Sequence, residues 1–236
     1  MCTVTYLPIN DTTQLITSNR DVHRERALAL PPEVQSVENR HVLYPKDPVG
    51  GGTWIALGKN TSVCLLNGAF KAHQPRVSYR HSRGLIPLHI MQYSSIHNFV
   101  EQYDFEDLEP FTLVVVHRNE LFEIRWDEQH IHTKQMDKNQ PHIWASSPLY
   151  SQETIRQRQE WFKDWLSSNP IYTPESIMDF HKNYGENDPE NGLIINRKIG
   201  VRTVSITSML YNESSGKMVY DDLVSNQISR NHIDFS

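Results

Sequence analysis

Apolar and polar positions alternate from Cys2 to Leu7, where Thr and Val interleave with Tyr6. That period of two, built from β-branched and aromatic residues, predicts a strand. A turn cluster follows at Pro8-Ile9-Asn10-Asp11, and a strand with Leu15 and Ile16 resumes from Gln14 to Thr17, so the first segment reads as a β-hairpin. Residues 22–49 are polar and punctuated by Pro31-Pro32 and Asp47-Pro48, which predicts a long loop wrapping the domain. That loop ends in Gly50-Gly51-Gly52-Thr53-Trp54. Trp54 to Leu57 and Ser62 to Asn67 form a second hairpin turning at Gly58-Lys59-Asn60. Asn67 then reads either as the turn residue of Asn67-Gly68 or as an amide pointed into a site.

Leu85, Leu88, Gln92, Ile96, Phe99 and Tyr103 recur at helical spacing and predict one amphipathic helix from Ser82 to about Gln102. Phe111 to Val116 is a near-continuous apolar run suited to a strand covered on both faces. Leu121 to Trp126, His130 to Lys134 and His142 to Ser147 continue as strands. Two helices follow, one capped by Ser151 and one opened by Thr173-Pro174 and stopped at Gly185. Leu193 to Ile195, Val201 to Tyr211 and Met218 to Tyr220 are the last strands, and the polar tail from Val224 is read as loosely held. Helices are grouped rather than alternating with strands. That order predicts an α+β fold of antiparallel sheets with helices stacked outside them, in one domain over residues 1–236.

Composition narrows the function. With 23 basic and 28 acidic residues well mixed and a net charge of −5, the chain lacks the basic face that nonspecific nucleic-acid binding needs, so no nucleic-acid partner is expected. Cys2 and Cys64 are too few for a disulfide framework and suit a reducing compartment. No signal-peptide pattern and no apolar run of spanning length is visible, which points to a cytoplasmic protein without a transmembrane segment. The triple glycine lacks the Lys-Ser/Thr ending of a phosphate loop.

The chemistry concentrates at the N-terminus. Removal of Met1 before a small second residue leaves Cys2 with a thiol and a free α-amine on one residue, a nucleophile with its own base. The hairpin returns Ser18-Asn19-Arg20-Asp21 towards Cys2, and Arg20 and Asp21 are the residue types that favour a thiolate and hold an ammonium group.

These residues, together with Gly51-Gly52-Thr53-Trp54, Leu66-Asn67-Gly68, Ser82-Arg83-Gly84 and Arg202-Thr203, resemble the NRDE family, also called the transport and Golgi organisation protein 2 family. That family is similar to N-terminal nucleophile hydrolases of the choloylglycine hydrolase and penicillin V acylase type. The resemblance implies a four-layer αββα sandwich. It implies Cys2 as nucleophile, Asp21 as the holder of the α-amine, Arg20 as the motif arginine, Asn67 in the oxyanion hole and Arg202 as a late-strand arginine near the nucleophile. Two positions depart from the pattern. The motif's glutamate is Val22, and Ser147 stands where relatives carry an active-site asparagine. Loss of one oxyanion donor removes roughly 2.7–4 kcal/mol of barrier stabilisation. The implied activity is hydrolysis of a linear C–N amide, without a cofactor or metal, on a small-molecule amide or apolar ligand. The same resemblance implies a rival: a non-catalytic carrier for haem or lipid in intracellular transport, with His81, His89 or His97 as haem ligands.

Overall fold

A computed structural model describes residues 3–235 of the chain. Among the described residues the strands form two antiparallel sheets. The first has the order β10 (His142–Ala145), β1 (Thr3–Pro8), β2 (Gln14–His23), β11 (Val201–Tyr211), β12 (Ser215–Asp222) and β13 (Gln227–Asp234). The second runs consecutively through β3 (Leu30–Val37), β4 (Arg40–Lys46), β5 (Ile55–Leu57), β6 (Thr61–Asn67), β7 (Phe111–His117), β8 (Glu120–Trp126) and β9 (Ile131–Met136). Every residue of β7 is buried, as its apolar run predicts.

One buried cluster joins residues of both sheets. Val4, Tyr6, Ile16, Met209 and Tyr220 of the first share it with Leu43, Ile55, Val63, Leu65 and Val114 of the second. Full burial of each aliphatic side chain contributes roughly 1.5–3 kcal/mol. The other face of the first sheet carries Leu7 and Leu15 against Phe162 and Trp165 of α3 (Gln152–Ser168) and Ile177 and Phe180 of α4 (Pro174–Asn183). Both helix starts are set locally. Ser151 Oγ accepts from the Thr154 N–H at 3.1 Å, and Thr173 and Ser176 form a reciprocal capping box before which no helix can extend.

Four expectations need correction. The predicted long loop at 22–49 contains the end of β2 and the hairpin β3–β4. Pro31-Pro32 sits in β3 because that strand is at a sheet edge and its pairing to β4 shifts between Leu30 and Glu33, so the missing N–H groups cost no ladder bond. The single helix predicted for 82–102 is broken into a 3₁₀ turn (Arg83–Leu85), α1 (Ile86–His89), a second 3₁₀ turn (Ile90–Gln92) and α2 (Ile96–Gln102). The break has a local cause: Ser95 is extended and its Oγ accepts from Asn98 N–H at 3.1 Å, so a new helix starts there. The polar tail is β13, held to β12 in register from Gln227 to Asp234. It reads as polar because it is an edge strand whose exposed positions outnumber its buried ones. The strand predicted at 193–195 reduces to a single bridge between Asn196 and Arg202.

Candidate functional site

The motif Ser18-Asn19-Arg20-Asp21 lies on β2, between β1 and β11. Strand alternation divides it. Asn19 points to the helices, where its Nδ2 donates to the carbonyls of His181 (3.2 Å) and Leu193 (2.7 Å). Arg20 points the other way, into the wall of a cleft of about 450 Å³. Its Nη2 donates to Asp47 Oδ2 at 2.8 Å and its guanidinium lies over Trp54, 4.5 Å from the ring centroid. Arg20 is 2% exposed, and burial lowers its pKa against the opposing pull of Asp47. Its Nη1 is buried without a hydrogen-bond partner among the described residues.

Asp21 is also buried and also lines the cleft. Thr203 Oγ1 donates to its Oδ1 at 2.6 Å and Tyr150 OH to its Oδ2 at 2.9 Å. Thr203 reaches it because the β2–β11 register shifts between Thr203 and Ser205, a bulge that brings Thr203 opposite Asp21 while Ser205 faces Arg20. Tyr150 is held in turn by Arg158, whose guanidinium lies 3.6 Å from its ring centroid.

Asp47 closes the mouth. Its Oδ2 accepts from Arg20 and from Arg26 (Nε at 2.9 Å), and its Oδ1 from the N–H groups of Val49 (2.9 Å) and Gly50 (3.2 Å). Burial works to raise its pKa, but Arg26, Arg20 and Gly50 together hold it below the ordinary value. Next to it, Thr53 N–H donates to Gly84 O at 2.7 Å. The contact needs glycine at position 52, since a Cβ there would stand 2.0 Å from Gly84 O. The triple-glycine stretch and Ser82-Arg83-Gly84, distant in sequence, thus meet at one wall. Arg83 is tied there to Glu109 at 2.8 Å.

Arg20, Asp21 and Asn67 therefore converge on one cleft. Asn67 ends β6, and its side chain makes no hydrogen bond among the described residues. Its backbone carbonyl accepts from Ser146 Oγ at 2.8 Å. Ser147 lies off the lining. Ser146, Pro148 and Leu149 face the cleft, whereas Ser147 packs on Gly68, where an added Cβ would come 2.7 Å from its Oγ. That hydroxyl is buried without a partner among the described residues. Arg202 is likewise set back: its neighbour Val201 lines the cleft, and Arg202 Nε is buried without a partner among the described residues. Val22, the departure from the motif, lines the cleft. Cys2 lies outside the described residues.

The histidines named as ligand candidates sit elsewhere. His81 Nε2 and His89 Nδ1 both bond to Tyr103 OH, at 3.1 and 2.8 Å, and His97 pairs with Glu101 on the surface. No group of three or more His, Cys, Asp or Glu side chains among the described residues is arranged to hold a metal ion. Cys64 is fully buried, and burial pushes its thiol up to about 12, which makes it unreactive.

Sequence reading missed Asp47 and Tyr150, and named Thr203 only beside Arg202, with no role. Asp47 beside Pro48 read as loop punctuation, and no spacing rule links it to Arg20. Thr203 reaches Asp21 through a register shift that residue spacing does not announce. Among the described residues no helix is long and apolar enough to cross a membrane. Comparison with curated proteins finds no match. The family model for transport and Golgi organisation 2 matches residues 1–198, which is most of the chain and includes β1, β2, the mouth loop and Asn67. The protein belongs to the transport and Golgi organisation 2 family.

Proposed function

We propose that the protein is an N-terminal cysteine nucleophile hydrolase of linear C–N amides, built as one four-layer αββα domain. The observation that carries this reading is the placement of Arg20 and Asp21. They sit side by side on β2, in the wall of a cleft, and their strand pairs with β1, whose Thr3 stands opposite Asn19. Thr3 is the residue that follows Cys2 in the chain. Helices on the outer face of the first sheet, and two sheets sharing one core, support the layered arrangement.

In this mechanism Met1 is removed and the Cys2 α-amine accepts the thiol proton. The thiolate forms a C–S bond to the amide carbonyl carbon. Asn67 and backbone N–H groups hold the oxyanion. The C–N bond then breaks, and the α-ammonium gives its proton to the departing amine. Water, deprotonated by the same amine, attacks the thioester and releases the carboxylic acid and the thiol. Asp21 holds the α-ammonium through the protonated stages, and its two hydroxyl donors orient its carboxyl group.

The test has two parts. Intact mass of the purified protein should be lower by one methionine. A panel of N-acyl amides should then be hydrolysed by the wild type and left intact by Cys2→Ala. Full activity in Cys2→Ala, or Met1 retained in material from the natural host, overturns the reading. In that case haem and lipid binding become the properties to measure.

A further inference from the structure

Asp47 takes no part in the chemistry above, yet its carboxylate is committed on every side. Oδ1 accepts from the Val49 and Gly50 N–H groups, and Oδ2 from Arg20 and Arg26. Its own backbone closes the mouth loop, with Gly51 N–H donating to Asp47 O at 2.9 Å and Asp47 N–H to Gly52 O at 2.8 Å. The carboxylate is therefore fixed by backbone before it meets either arginine. We propose that Asp47 is a positioning residue that locks the Arg20 guanidinium against Trp54, and that it controls the reactivity of the Cys2 thiol through Arg20. The inference rests on Cys2 being the nucleophile.

Two features support it. Arg20 is gripped on one edge by Asp47 and on one face by Trp54, and its Nη1 is buried without a partner among the described residues. The charge of Asp47 is also shared with a second guanidinium, Arg26, at 2.8 Å. Two cations around one anion leave little negative field for the cleft to feel, so the direct influence of Asp47 on a thiol is small. Its removal instead leaves Arg20 and Arg26 to repel each other, and Arg20 loses its anchor.

The two influences have opposite signs, and that makes the inference testable. Loss of a nearby anion alone lowers the pKa of a thiol, whereas loss of a positioned cation raises it. The experiment follows alkylation of Cys2 by iodoacetamide against pH, by peptide mass, on full-length protein lacking Met1. Buried Cys64 serves as the slow internal reference. The wild-type midpoint is expected below the ordinary thiol value of about 8.5. Asp47→Asn should raise it by about 1 unit, towards the value of Arg20→Gln. The double variant should rise no further than Arg20→Gln, because both changes act through one group. A midpoint in Asp47→Asn that is unchanged or lower, with a depressed wild-type midpoint, overturns the inference and leaves the nucleophile reading intact. A wild-type midpoint at the ordinary value overturns both. If Asp47→Asn does not fold, Asp47→Glu keeps the charge and displaces the carboxylate by one methylene. It should shift the midpoint upward too, and an unchanged or lower midpoint there is equally fatal.

Discussion

Two buried arginines lie on opposite faces of the first sheet, and they are solved differently. Arg158, a fully buried residue of α3, meets only neutral acceptors. Its Nη1 donates to Thr3 Oγ1, its Nε and Nη2 to Asn191 O (3.3 and 3.0 Å), its Nη2 also to Gly192 O, and its plane stacks on Tyr150. No carboxylate lies within ion-pair distance of it among the described residues. Arg20, on the cleft face, has a carboxylate partner and keeps one nitrogen without a partner among the described residues. A buried donor without an acceptor is costly and is removed wherever structure is the purpose. The helix face has every N–H-bearing nitrogen of its arginine satisfied, so it clamps. The cleft face holds its cation between Asp47 and Trp54, so it keeps a positive charge fixed in the cleft wall. The clamp serves the cleft: Arg158 holds Thr3, the residue after Cys2, and supports Tyr150, which donates to Asp21.

The comparison breaks most readily at Arg158. Arg158→Met leaves three buried oxygens without donors, and the expected loss is about 3–5 kcal/mol of unfolding free energy. Arg20→Met should cost about 1–2 kcal/mol, since Asp47 keeps Arg26 and two backbone N–H groups. Urea unfolding of the two variants checks this, and equal losses would end the distinction between the faces.

The faces also differ in pH response. His181, fully buried on the helix face, accepts no proton until about pH 3, because burial first and Arg158 second oppose its charge. Its unfolded value is 6.5, so the unfolded chain binds the extra proton in between. Stability from this group is complete above pH 6.5 and falls by about 1.4 kcal/mol per unit as the pH drops from there towards 3. Over pH 6.5 to 5 the expected loss is about 2 kcal/mol. Asp47 behaves differently. Its folded pKa is depressed, so its contribution persists down to 3.8 and is lost below that. Melting curves at pH 5 and 7 should show a flattened slope in His181→Gln and an unaltered one in Asp47→Asn.

An effect of similar size is expected at the meeting of the two glycine loops. Gly52→Ala must push the mouth away from Gly84, and overpacking of this kind costs about 1–3 kcal/mol. Because the strain falls on the cleft face, amide exchange should quicken at Thr53 and leave β1 unchanged. Smallest is Tyr150→Phe. Asp21 keeps its bond from Thr203, and the expected loss is about 1 kcal/mol. The same variant should reduce amide turnover more than it reduces stability, because the group it loosens is the one proposed to hold the α-amine.

How much of this is legible in the chain follows the range of each interaction. The β1–β2 hairpin, the all-buried β7 and the caps of α3 and α4 come from residues within a few positions of one another, and the alternation and cap residues announce them. The adjacency of Arg20 and Asp21 was legible for the same reason, whereas spacing leaves Asn67 open between turn residue and site amide. Edge strands were not. β3 and β13 bury little, so their sequences are polar and proline-bearing, and they read as loop and tail. Nor was the set-back of Ser147 and Arg202, since one step along a strand or turn reverses which side chain meets a cavity.

The sequence by itself determined the periodicities, the caps and the adjacency of Arg20 and Asp21 on β2. Only the tertiary structure decided that Asp47 holds Arg20, that a register shift brings Thr203 to Asp21, and that Gly52 meets Gly84. The reason is that sequence records local free energy through spacing. A contact closed over a long loop costs chain entropy that grows only slowly with loop length, so almost any separation is permitted and none is signalled.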